Sequence, residues 1–490
     1  MLATANSAGY RYGASDQAFY VPAALLHIDP ALFPRDAPLI ESQARLTVVD
    51  ELIGAAERAT GAPLPVVFGV LYLSALTLLA CAAWALGRGI YRTGWTTAAW
   101  LAALTLRHQI AQTGTNTLEG YFHPRQLSFA LGVMALVTFL RRRTLATFVI
   151  LAAAGAVHPT TALWFAIWLG IAIVAADRRF RLPLAAAASF AAAGFVWAGV
   201  YGPLAGRFAR MDAAWLATLE TKDYLFPADW PLPIWLLNLS YVPIVVWLYF
   251  ARKRAGVLAE REAALVAGCL GLFAVFCIAL PFNASAVQIA VQLQVGRVFW
   301  MLDFLATLYV VWALAEWRSD GVARAKRLVY ILVLCSAARG AYALVVEFPD
   351  RSLARIDIPD TDWGRVMRWA RTTATDSYWV ADPLHAVRYG TSVRVAGERD
   401  VFVEGVKDQA IGTYDRGVAM RTRERLAAVG DFGALDADRG RALAREYGLD
   451  YLVTDRMLDL PVAFSSGALR VYRLTGEREQ EVNREKERTN

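Results

Sequence analysis

Apolar residues in this chain are gathered into long blocks separated by short polar runs, and the blocks stop near residue 346. Ten blocks read as helices that cross a membrane: about 64–86, 93–107, 126–140, 144–158, 160–176, 182–204, 232–250, 263–281, 298–316 and 328–346. A crossing helix needs roughly 20 apolar residues, within a range of about 17–25. The second, third and fourth blocks are short by that measure, which predicts tilted, broken or bundle-packed helices there. After residue 346 the pattern changes to shorter periods. Residues 360–374 place Trp363, Val366, Met367 and Ala370 on one helical face. Residues 377–382, 393–397, 401–405, 450–455 and 469–474 read as strands, and 409–429 and 436–447 as helices.

Four regions follow. Residues 1–63 form a loop region in which 10–36 mix aromatics with Asp16, Asp29, Asp36 and three prolines. Within it, 40–60 carry Leu46, Val49, Leu52, Ile53 and Ala56 at helical spacing, which predicts an amphipathic helix lying on a surface. Residues 64–346 are the transmembrane helical domain, 347–474 a small α/β domain, and 475–490 a charged tail expected to be disordered.

Basic clusters fix the expected orientation. Arg88 and Arg92, Arg141–Arg143, Arg178–Arg181, Arg252–Arg261 and Arg318–Arg327 follow the first, third, fifth, seventh and ninth blocks. Short Lys/Arg-rich loops stay in the cytoplasm. This alternation puts residues 1–63 and the C-terminal domain on the outer side of the plasma (inner) membrane. No apolar stretch before residue 64 would carry the N-terminus across. The expectation is either an unaided translocation or one more helix encoded upstream of Met1.

Composition narrows the classes. Hydrophobic residues make up 57% and charged residues 19%, against about 45–50% and about 25% in an average soluble domain. A wholly soluble enzyme, a disordered chain and a disulfide-stapled scaffold are excluded. Cys81, Cys269, Cys277 and Cys335 all fall in apolar blocks and form no spaced metal set. The net charge of +7 resides largely in the interblock clusters, so it reads as topology and not as a nucleic-acid surface. No dinucleotide or P-loop motif is present, and no cofactor is expected.

Candidate chemistry lies on the other set of loops. Residues 107–126 hold Arg107, His108, Glu119, His123 and Arg125, and His158 ends the fourth block on the same side. Residues 282–297 carry Gln288, Gln292 and Gln294 and end at Arg297. Four of the five histidines (His27, His108, His123 and His158) fall on one predicted face. Ionisable groups at that depth are costly unless they line a cavity or pair, so a shared polar cavity is expected. Taken singly, His158 also reads as a helix-end residue, Arg297 as a headgroup anchor, and Asp303 as a partner to a neighbouring helix.

Three segments carry a resemblance: ASDQAFYVPAALLHIDPALFPRD at 14–36, GYFHPRQLSFALGVMAL at 120–136 and GAVHPTTALWF at 155–165. With an acidic first loop, many helices and an outer α/β domain, the chain resembles the GT-C superfamily of membrane glycosyltransferases, in a bacterial GT-C-like subgroup. The resemblance covers nearly the whole chain and implies a polytopic α-helical fold with an extracytoplasmic α/β domain. It also implies an inverting transfer of a sugar from a polyprenyl-phosphate-linked donor to an envelope acceptor. Family members often carry two adjacent acids in the first loop; here Asp16 is followed by Gln17. The resemblance maps the catalytic acid onto Asp16, which also reads as a turn or cap residue. His123, Arg125, His158, Arg297 and Glu119 are the candidate substrate-binding residues, expected to meet Asp16 in one cavity. Two rival readings stay open. A transporter or flippase of a lipid-linked intermediate would carry an internal repeat, and none is found. A non-catalytic assembly protein of GT-C shape fits the single acid.

Overall fold

The computed structural model describes residues 1–106, 109–202, 204–317 and 321–474. The predicted tail at 475–490, together with Arg107 and His108, lies outside them. The chain divides into two compact units. The first comprises residues 1–10, 70–213 and 220–354, and the second residues 11–69, 214–219 and 355 onward. Most of the region 1–63 expected as a loop thus shares its unit with the C-terminal α/β region, and it is largely helical, with Gln17–Ile28, Ala37–Ala44 and Val49–Thr60 as helices.

Each of the ten apolar blocks is a helix: α1 (Leu64–Ile90), α2 (Gly94–Leu104), α3 (Pro124–Leu140), α4 (Thr144–Val157), α5 (Pro159–Ala176), α6 (Arg181–Val200), α7 (Leu232–Arg254), α8 (Glu262–Ala284), α9 (Val298–Glu316) and α10 (Gly321–Tyr342). Among the described residues, seven helical segments are long and apolar enough to cross a membrane, those of α1 and α5–α10, so the chain reads as a multi-pass membrane protein. The count of about ten crossings is not reached by this measure. Helices α2, α3 and α4 have 11, 17 and 14 residues. At 1.5 Å per residue they extend only about 16, 26 and 21 Å, against an apolar bilayer core of about 30 Å.

Close packing holds these helices where the hydrophobic effect between them is weak. Phe129 of α3 stacks on Trp300 of α9 with ring centroids 4.0 Å apart. Gly132 lets Phe165 of α5 lie against α3, since a Cβ there would stand 2.2 Å from the ring. Gly268 does the same for α8 against Trp168. Asp303, inside α9, hydrogen-bonds Tyr241 of α7, the interhelix pairing expected of it. At the C-terminal end of α7, Arg252 is wholly buried. It donates to Glu262 at 2.5 and 3.0 Å and to the Ile90 carbonyl at 2.9 Å, and lies over the Trp312 ring.

In the second unit, β1 (Tyr378–Val380), β2 (Asp400–Val401), β3 (Tyr451–Thr454), β4 (Val462–Ser466) and β5 (Leu469–Arg473) form one sheet in the order β2-β1-β3-β5-β4. Strands β2, β1 and β3 are parallel, and β5 is antiparallel to both β3 and β4. The expected strand at 393–397 is instead one helical turn, Val393–Ala396. The Ser392 hydroxyl caps it, accepting from the Val395 N–H at 3.2 Å. The turn also buries Arg394, whose partners need it there. The long helix expected at 409–429 is two helices, Gly405–Ile411 and Arg416–Val429, the second capped by Asp415. The amphipathic segment at 40–60 likewise splits into Ala37–Ala44 and Val49–Thr60, with Leu46 and Val48 exposed between them.

Candidate functional site

Two helix starts are built alike. His123 precedes Pro124 at the start of α3, and His158 precedes Pro159 at the start of α5. Proline suits the first helical position because its fixed φ fits and no N–H is lost there. Each histidine then caps its helix. His123 Nδ1 accepts from the Arg125 N–H at 3.1 Å, and His158 Nδ1 from the Thr161 N–H at 3.3 Å. A neutral imidazole that accepts at Nδ1 carries its proton at Nε2. Both rings are thereby fixed as Nε2–H donors. They lie edge to face, with centroids 5.9 Å apart.

Two arginines join them. Arg125, on the first turn of α3, donates to Glu119 at 2.5 Å, and both are buried. Arg297 ends the turn Val295–Arg297 that leads into α9; Gln294 ahead of it is left-handed, at φ 53°. Its Nη1 reaches the Thr160 hydroxyl at 3.5 Å. Thr160 also lies 3.3 Å from His158 Nδ1, so Arg297 and His158 meet on the first turn of α5. His158 is half-buried, with Arg297, His123 and Arg125 close enough for their charges to act on it. Two helix N-termini meet at this end, and their dipoles favour an anion.

Of the six predicted site residues, Glu119, His123, Arg125, His158 and Arg297 come together in the first unit. Asp16 belongs to the second. Its side chain makes no helix cap; its carboxylate accepts from Lys407 Nζ at 2.8 Å. Ser15 before it is left-handed, at φ 54°. Of the four histidines expected to share a cavity, His108 lies outside the described residues and His123 and His158 meet in the first unit. His27 lies in the second unit, exposed, 3.2 Å from Arg58.

Sequence reasoning missed three groups. Gln126 is buried beside Arg125, and its side-chain amide has no hydrogen-bond partner among the described residues. It lies one turn ahead of Phe129, as Arg297 lies one turn ahead of Trp300, and those two rings stack. An uncharged polar residue on the first turn of an apolar helix was the available signal. Lys407 gave none. The third is a cluster around Arg394, which donates to Asp36 at 2.7 Å and to Asp408 at 2.6 and 3.2 Å. Asp36 also accepts from Arg421 and from the Val401 N–H at 3.0 Å. Burial pushes Asp36 up, but Arg394 and Arg421 outweigh it and hold the carboxyl below its usual value. Neighbouring Asp400 accepts from the Arg35 and Asp36 N–H groups, yet burial and the Asp36 charge push it up to about 6.

No protein-family model matches the chain, and no curated protein does.

Proposed function

We propose that this chain is a GT-C-type glycosyltransferase of the plasma membrane. It moves a sugar from a polyprenyl-phosphate-linked donor to an envelope acceptor on the outer face. The observation that carries the reading is the meeting of Arg125, Arg297 and two Nε2–H donors at the starts of α3 and α5. That set suits a phosphate whose negative charge grows as it leaves. Glu119 orients Arg125. The acceptor oxygen attacks the anomeric carbon, a carboxylate takes its proton (the role the resemblance gives Asp16), and the bond to the phosphate oxygen breaks with its electron pair going to the phosphate. The orientation behind this reading comes from the alternating Arg clusters.

A second reading has its own observation. Asp16 is engaged by Lys407 at 2.8 Å, and an acid held in an ion pair suits a non-catalytic assembly protein that kept this shape. Reconstituted protein given a radiolabelled polyprenyl-phosphate sugar separates the two. Turnover in the wild type, abolished in Asp16→Asn with donor binding retained, supports transfer. Donor binding without turnover in either protein supports assembly. A reporter active only outside the cytoplasm, fused after Leu474, is expected to be active, and one fused after Arg143 silent.

A further inference from the structure

The opposite ends of α3 and α5 enclose a different feature. Where these helices finish and α8 begins, a cavity of about 540 Å³ opens to the surface, lined by Arg142, Asp177, Arg178, Arg179, Glu260 and Arg261. Its volume lies within the roughly 300–1,000 Å³ of small-ligand sites. Four arginines face two acids, so two positive charges are uncompensated in the lining. Arg142 pairs with Glu260, and Arg179 with Asp177 at 3.4 Å. Arg261 donates to the Phe139 carbonyl at 3.0 Å and lies over the Phe139 ring. Arg178 has no ion-pair partner among the described residues and is exposed.

Basic residues at helix C-termini are ordinary: they complement the helix dipole and set topology. Here the arrangement goes further, because four come from three separate connections to surround one space. Arg142 is held there in a left-handed conformation, at φ 61°. The crowding is energetic as well as geometric. Burial, and then the charge of Arg142, hold the Arg261 guanidinium below its ordinary value. An anion in the cavity relieves that repulsion.

The wall beside the cavity indicates what kind of anion. Helix α6 starts at the cavity rim, where Arg181 donates to the Val174 carbonyl at 3.4 Å. None of its residues is buried; Leu182 and Phe190 are 80% and 83% exposed. A charged recess at the end of a bare apolar helix has the shape of an amphiphile: headgroup in the recess, chains along the helix.

We infer that this cavity binds the headgroup of an anionic phospholipid, with its acyl chains against α6. Basic pockets between membrane helices take such headgroups. The shared chemistry is a phosphate, and the bilayer is its source.

The test uses the full chain in nanodiscs of phosphatidylcholine, with and without phosphatidylglycerol, released into native mass spectrometry. The wild type is expected to retain phosphatidylglycerol. Each Arg near an anionic lipid surface is worth about fivefold, so the exposed pair Arg178→Ala/Arg179→Ala lowers retention about 25-fold. Lys253→Ala/Arg254→Ala removes an exposed basic pair elsewhere in the same unit and leaves retention unchanged. Equal loss in both variants overturns the inference, because general charge attraction then suffices. No retention in the wild type also overturns it. Displacement of the lipid by inorganic phosphate at comparable affinity makes this a free-phosphate site and overturns the lipid assignment.

Discussion

The histidine end of the first unit and the Arg394 cluster of the second both bury arginines, and they surround them with different groups. Around Arg394 the carboxylates are consumed by the fold. Asp36 alone accepts from Arg394, Arg421 and a backbone N–H, and Asp408 takes two nitrogens of Arg394. The cluster ties residues 35–36 to 394–421, so its charge is spent on architecture. At the histidine end, Arg125 donates to Glu119 and Arg297 to the Thr160 hydroxyl, beside two imidazoles that offer Nε2–H. Buried charge matched by the protein itself marks a structural joint. Donors that converge beside two helix N-termini suit an anion from outside.

The largest expected effect tests that contrast directly. Arg394→Met leaves Asp36 and Asp408 buried without their cation, which costs about 3–5 kcal/mol. Arg297→Met is expected to change thermal stability in detergent little, while phosphate-donor binding falls at least tenfold. Comparable destabilisation by both substitutions breaks the distinction.

A smaller effect separates the two jobs of the capping histidines. His123→Ala removes a cap worth about 1 kcal/mol. His123→Asn restores the cap but has no Nε2–H at the same reach, so stability recovers and donor binding does not. Recovery of both in His123→Asn reduces the residue to a helix end.

The smallest effect is a pH dependence confined to the second unit. Folding raises the Asp400 pKa to about 6, from about 4 in an unfolded chain. The folded state therefore holds more proton between these values, and stability falls as pH rises from about 4 through 6. Asp36 works the other way: its depressed value gives stability above about pH 4 that is lost on further acidification. Hydrogen exchange of the β3 amides checks this, and Asp400→Asn is expected to flatten the 4–6 limb. A limb unchanged in that variant assigns it to another group.

How much of this was legible depended on the distance over which each feature is decided. All ten apolar blocks are helices, because composition alone dictates helix in such blocks. Strands β1, β3 and β5 lie inside the expected segments, where alternation and flanking polar residues agree. The turn at Val393–Ala396 was not legible: its alternation suggests a strand, and the deciding partner, Asp36, lies 358 residues away. The same separation hides Lys407 from Asp16, 391 residues apart. The histidine end was legible because each His-Pro pair is a local device, complete within three residues.

Those His-Pro pairs also stand at the ends of helices too short for the bilayer. The 14 residues of α4 reach about 21 Å, leaving its end about a third short of the roughly 30 Å apolar layer. Mobile ions screen exposed charges over about 8 Å at physiological salt, and recessed ones much less. An anion seated against His158 and Arg297 is thus expected to hold on as salt is raised, whereas one at the open recess of Arg178 is washed out.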